Sequence, residues 1–282
     1  MLRELALVAR FAFHEALRKR VLLAGGVLTG VYLLLFGLGL HFLKGNLHNM
    51  EQLFGVQLFS MALYLATLLT VLLSAFTGVG AISGEIETGT AYALLAQPVS
   101  RARILLGKFS GYALMLALYA TLFFLALWGL MAWQSGILLQ GVWRVLPLFL
   151  LQPLVMLGLA FLGSTLFSTL ANGILLFLLY GVALVGGMIE QIGAMVGQAG
   201  NATATALINL GIISSLALPV DALYRRAVYI LLSDTGTIWN LLHSLGPFGS
   251  ASVPSVWVVV YAGVYLCGCL VLAVYFFSRK DI

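Results

Sequence analysis

Five charged side chains crowd one short stretch of an otherwise uncharged half-chain. In SGEIETGTAYALLAQPVSRARILLGK, from Ser83 to Lys108, stand Glu85, Glu87, Arg101, Arg103 and Lys108, flanked by uncharged runs from Leu53 to Gly84 and from Phe109 to Trp143. If those runs cross a bilayer, the stretch is a short loop on one face, placed to be gripped by another protein. Catalytic readings fail elsewhere in the chain. Gly107-Lys108 is the nearest approach to a phosphate-binding GxxxxGK[ST] loop, but Ala102 stands where the first glycine belongs and Phe109 where Ser or Thr must follow. The chain is therefore not expected to hydrolyse ATP by itself. His14, His41, His48 and His243 have no histidine three or four residues away, so no helical metal site is encoded locally. His41 and His48 could meet near one surface, or be solvated loop residues. There is no GxSxG elbow and no HExxH. Cys267 and Cys269 would point to different faces of a helix, which reads as packing rather than a disulfide.

The elements that must position the charged stretch are dictated by composition. Only 8% of the 282 residues are charged, against roughly 25% in soluble domains. Mean hydropathy is +1.09. Such a chain cannot cover a water-facing surface, and its long, non-alternating apolar runs specify membrane-spanning helices rather than barrel strands. The fold class expected is an all-α polytopic membrane protein. Its net charge of +5 would suggest nucleic acid in a soluble protein; here it fits basic residues on the cytoplasmic face, and no nucleic-acid partner is expected. Arg3, Glu4 and Arg10 interrupt the opening residues, so no secretory signal is expected.

Residues 1–20 are predicted to form an amphipathic interfacial helix, with Leu2, Leu5, Ala6, Ala9, Ala12, Phe13, Ala16 and Leu17 on one face and Arg3, Arg10, His14 and Arg18 opposite. Leu7 and Phe11 break that pattern. Spans are expected at 21–43, 58–81, 109–133, 146–167, 174–188 and 256–277. The uncharged run from Val145 to Ile189 is too long for one crossing, and Ser168, Asn172 and Gly173 are the turn signals that divide it. Residues 190–254 read as an outer loop with short helices lying on or dipping into the membrane, or as an extra pair of crossings.

Six spans with the N-terminus inside put the tail inside too. Arg3, Arg10, Arg18, Lys19, Arg20, Arg101, Arg103, Lys108, Arg279 and Lys280 then face the cytoplasm, and Lys44, Arg144, Arg225 and Arg226 the outside. That asymmetry is the positive-inside bias, and it makes 83–108 a cytoplasmic loop. The spans hold almost no ionisable groups, His41 and Glu190 coming nearest, so no ion-coupling residue is evident.

Within the loop, Gly84 and Gly89 are flexible punctuation. Thr90 can cap a short helix over Ala91 to Gln97, Pro98 ends it, and Ser100 caps a second helix that begins at Arg101 and runs into the third span. Tyr92, Leu94 and Leu95 give the short helix an apolar side. It can dock on a protein, or lie on lipid with Arg101, Arg103 and Lys108 on head groups.

The stretch resembles the first cytoplasmic loop of type-2 ABC exporter permeases, through Gly84, Glu85, Glu87, Gly89, Thr90, Leu94, Leu95, Pro98, Ser100, Arg101, Gly107 and Lys108. The tail FSRKDI from Phe277 resembles that family's basic-basic-Asp-aliphatic ending, and Leu218-Pro219-Val220-Asp221 with Tyr224-Arg225 its outer-loop segment. The subgroup that includes the permease of the nitrous-oxide-reductase maturation (Nos) system is nearest in pattern. The resemblance implies a six-span half-transporter that pairs with a second copy of itself in a bacterial or archaeal plasma membrane and binds two separate ABC ATPase chains. It implies that Glu85, Glu87, Gly89, Thr90, Tyr92, Leu94, Leu95, Pro98 and Arg101 form the ATPase-coupling segment. No cofactor is expected on this chain, ATP and magnesium being held by the ATPase. An outer accessory protein is a further possible partner. Two other classes fit the same spans: a membrane anchor or assembly factor that moves no substrate, and a stand-alone channel or secondary carrier.

Overall fold

The computed structural model describes residues 2–47, 52–89, 100–136, 141–196, 202–233 and 252–280. Ten helices account for nearly all of them: α1 (Leu2–Arg18), α2 (Arg20–Leu47), α3 (Gln52–Gly78), α4 (Ser83–Glu87), α5 (Arg101–Ser135), α6 (Val142–Leu166), α7 (Thr169–Val196), α8 (Ala202–Ala217), α9 (Val220–Ser233) and α10 (Trp257–Arg279). Six of these, α2, α3, α5, α6, α7 and α10, are long and apolar enough to cross a bilayer. The chain is thus an all-helical integral membrane protein. Its spans alternate in direction, so the ends of α3, α6 and α10 and the starts of α2, α5 and α7 gather at one end of the bundle. Arg101, Lys108 and Lys280 lie there, and it is called the basic end below.

Several helices run well past the apolar stretches that mark them. α5 has 35 residues, about 52 Å at 1.5 Å per residue, against a hydrocarbon core of about 30 Å. α7 likewise begins five residues before, and ends eight residues after, the 174–188 span expected from hydropathy. Hydropathy marks the lipid-embedded part; the backbone hydrogen bonds carry the helix onward.

A packed core runs through the middle. Phe124 packs between Phe59, which it meets edge-on, and Phe149, and Tyr64 meets Tyr224 edge-on. Small residues let backbones approach, as helices in lipid require. At Gly111 of α5 a Cβ would collide with the Ala9 carbonyl oxygen and lie 2.7 Å from the Ala12 Cβ. That contact explains the role of α1. Its alanine row, with Ala12 and Ala16 buried, seats on α5. Leu7 and Phe11, which break the amphipathic pattern, are exposed as a second apolar strip. Replacing Gly111 with leucine is expected to cost about 1–3 kcal/mol through overpacking. It should also release α1, read as faster proteolysis between Arg3 and Lys19 with the rest of the chain protected.

Residues 202–233 fold back on themselves. α8 and α9 meet at a 110° bend around Leu218-Pro219. Gly193 faces Leu207, while Gly186 faces Ser214, so α8 runs antiparallel along the last turns of α7. α9 then crosses the bundle, and the Tyr224 hydroxyl donates to the Ser60 carbonyl of α3 at 2.9 Å. Residues 202–233 thus form a bent helix pair packed on α7 and on the bundle core.

Candidate functional site

At the basic end, the stem of the charged loop is fastened to most of the bundle by polar contacts. The first N–H groups of a helix lack intrahelical acceptors. For α4 the Ser164 hydroxyl, from the last turn of α6, accepts from Ile82 N–H at 2.9 Å and Ser83 N–H at 2.8 Å. The Ser83 hydroxyl meets that of Thr169, the first residue of α7, at 2.9 Å. Asn172, one turn on, donates to the Val79 carbonyl at 2.9 Å and the Ala160 carbonyl at 3.0 Å. Asn172 and Gly173 thus lie inside α7, and the break falls at Phe167-Ser168. Asn172 is a buried polar staple from α7 to α6 and to the turn that follows α3, not a turn residue itself.

Glu85 and Glu87 both turn inward to their own chain. Glu85 forms an ion pair with Lys108 of α5, which also donates to the Ala81 carbonyl at 3.2 Å. Lys108 is only 4% exposed. It is therefore not a head-group ligand, because burial demands the paired partner it has. Glu87 accepts from the Thr169 N–H at 2.8 Å, placing a carboxylate at the positive end of α7. Gly89 closes the stem at φ +75, a left-handed conformation that favours glycine. Thr90, Tyr92, Leu94, Leu95 and Pro98, with the expected helix from Ala91 to Gln97, lie outside the described residues.

The chain resumes at Ser100. It stands at the N-cap of α5 with extended backbone, but its side chain makes no capping hydrogen bond. Arg101 reaches the carboxyl end of α10, donating to the Phe277 carbonyl at 3.5 Å and the Lys280 carbonyl at 2.5 Å. Cations suit exposed helix-end carbonyls. Lys280 in turn donates to the Thr165 carbonyl at the end of α6, at 2.9 Å. Arg103 pairs with Glu4 of α1 at 2.7 Å. Lys19, between α1 and α2, donates to the Thr77 carbonyl of α3 and pairs with Glu15. Burial lowers its ammonium pKa, and Glu15 only partly restores it. Both sides of the loop are thus anchored: residues 80–89 on α5, α6 and α7, and Arg101 on α10.

A second polar cluster lies at the opposite end. Arg225 of α9, 2% exposed, donates Nε–H to Asp221 at 2.9 Å and grips both oxygens of Glu190 on α7 at 2.6 and 2.8 Å. Ser252 donates to the same carboxylate at 2.5 Å. A cavity of about 410 Å³ opens beside this cluster. Arg225 thus lies inside the protein at the end opposite the basic end, where two carboxylates neutralise it. Its i, i+4 spacing from Asp221 was legible in the sequence; its pairing with Glu190 was not.

The fold and this fastened loop define a class: a polytopic helical membrane protein whose polar chemistry is ionic and structural. Residues 6–282 match the family of ABC-2 family transporter proteins. The chain belongs to that family of ABC transporter permeases. Over 78 residues it is 42% identical to the "Probable ABC transporter permease protein NosY" of Stutzerimonas stutzeri. The match covers 28% of this chain and 27% of the relative, little more than a quarter of either.

Proposed function

We propose that this chain is the permease subunit of an ATP-driven exporter, and that residues 83–108 couple it to a separate ATPase on the cytoplasmic side of a bacterial inner membrane. The reading rests on one observation above all. The two ends of the loop are joined to α5, α6, α7 and α10 by Glu85–Lys108, Ser164 with Ile82 and Ser83, Glu87–Thr169 and Arg101 with the end of α10. A push on residues 90–99 would therefore move several spans together, and helix packings separated by a few kcal/mol can be switched in this way. Two ATPase copies acting on two permease copies would supply the push, and ATP and magnesium would be held by the ATPase. Tyr92, Leu94 and Leu95 would form the apolar contact, Thr90 and Pro98 would bound the helix that bears it, and Glu85 and Glu87 would brace its stem.

The test is co-purification with the ATPase after replacing Tyr92, Leu94 and Leu95 together by alanine. Loss of the ATPase, or ATP turnover that no longer responds to the permease, is expected. Unchanged binding and turnover overturn the reading. So would labelling of Tyr92→Cys, in a chain with Cys267 and Cys269 removed, by an impermeant thiol reagent applied outside the cell.

A further inference from the structure

Beyond this coupling role, we infer that α1 carries a site for an anionic phospholipid with two phosphate groups, drawn from the leaflet at the basic end. A groove of about 680 Å³ runs along the outer side of α1, with Leu7 and Phe11 among its walls and Arg10, His14, Arg18 and Lys19 beside them. Phe11 is 78% exposed.

The arginines carry the argument. Arg101, Arg103 and Arg225 are all committed to carbonyls or carboxylates. The guanidinium groups of Arg10 and Arg18 make no hydrogen bond or ion pair among the described residues, although they border an apolar groove. Lys19 is spoken for by Glu15 and Thr77. With Glu15 counted, the groove holds two positive charges in excess, with His14 neutral. Nδ1–H of His14 donates to the Arg10 carbonyl at 2.8 Å, which leaves Nε2 free to face an occupant.

Spacing selects the ligand. Arg10, His14 and Arg18 follow at four-residue steps, so the row spans about 12 Å along the helix axis. Rooted that far apart, the two guanidinium groups can each take a separate phosphate in a bidentate fork without crowding one another. Two phosphates joined by a glycerol, as in cardiolipin, can take one arginine each, with acyl chains lying over Phe11 and Leu7. Position selects the source. α2 begins immediately after Lys19, and its first turns expose Leu23, Val27 and Leu28, the surface of a helix that faces lipid. The groove therefore opens at the level where the first span enters the bilayer.

The test uses the full chain, purified in detergent with any partners it brings, and native mass spectrometry with added cardiolipin, phosphatidylglycerol or phosphatidylcholine. Each arginine–phosphate contact near a membrane surface is worth about fivefold in affinity. Cardiolipin should be retained about fivefold over phosphatidylglycerol, and phosphatidylglycerol about fivefold over phosphatidylcholine. R10Q or R18Q alone should bring cardiolipin down to the phosphatidylglycerol level, and both together to the phosphatidylcholine level. Both side chains are exposed, so unchanged thermal unfolding is expected alongside. Equal retention of the three lipids overturns the proposal. So does displacement of cardiolipin by millimolar inorganic phosphate, or a groove that a second copy or a bound protein already protects from lipid.

Discussion

Replacing Arg225 by methionine should lower the stability of the chain by about 3–5 kcal/mol, because it strands two buried carboxylates. Glu190 and Asp221 are nearly inaccessible to solvent, and Arg225 is the cation that both contact. The damage should be local at first. Arg225 joins α9 to α7 and to Ser215 of α8, and α8 packs on α7 through close glycine contacts, with Gly211 seated on Glu190 itself. A cysteine at Ser214, buried beside Gly186, should then become reactive to maleimide in R225M while remaining protected in the parent. Thermal unfolding in detergent should fall by on the order of 10 °C. The decisive comparison is the triple variant E190M/D221L/R225M. Removing all three charges deletes the penalty together with the attraction, and such replacements are often neutral or stabilising. It should unfold closer to the parent than R225M does. If R225M and the triple variant are equally unstable, or R225M is unaffected, the cluster is not the ionic joint described here.

The parts of the fold that were legible before any coordinates were those governed by hydropathy alone. Long apolar runs without alternation predict six spanning helices, and six helices among the described residues are long and apolar enough to span. Helix ends were less legible, because α5 and α7 continue beyond their apolar segments and only backbone hydrogen bonding decides where they stop. Polar residues inside the bundle were least legible. Asn172 has the composition of a turn residue, but its amide satisfies the backbone carbonyls of Ala160 on α6 and of Val79 just past the end of α3. Span counting places Arg225 on the outer side, but nothing local shows that Glu190, 35 residues earlier, would lie beside it. Glu85 and Glu87, expected as coupling residues, also have partners within the chain, in Lys108 and the start of α7. Sequence spacing places charges in a loop; which of them faces outward depends on helices that meet only in the folded chain.

That inward pairing shapes the second large effect, at Lys108. The K108M variant should retain its ATPase partner yet lose the response of ATP turnover to the permease by at least tenfold. Lys108 lies thirteen residues beyond Leu95, the last of the three apolar contact residues, so the docking surface is intact in the variant. What is lost is the ammonium that joins Glu85 and the Ala81 carbonyl to α5. A hydrogen bond to a charged group contributes about 1.5–3 kcal/mol, and about 1.4 kcal/mol is already a factor of ten in any equilibrium that depends on it. Glu85 retains a partly exposed side chain, at 23%, so water will offset some of the loss and the variant should still fold. The exchange E85K/K108E separates fastening from mere stability, since it keeps one cation and one carboxylate at the same joint. If the ion pair transmits the push, the exchanged chain should recover most of the turnover response, whereas K108M and E85Q should not. Full turnover response in K108M would place the transmission elsewhere in the stem, on Glu87 and Ser164, where E87Q and S164A would then carry the loss.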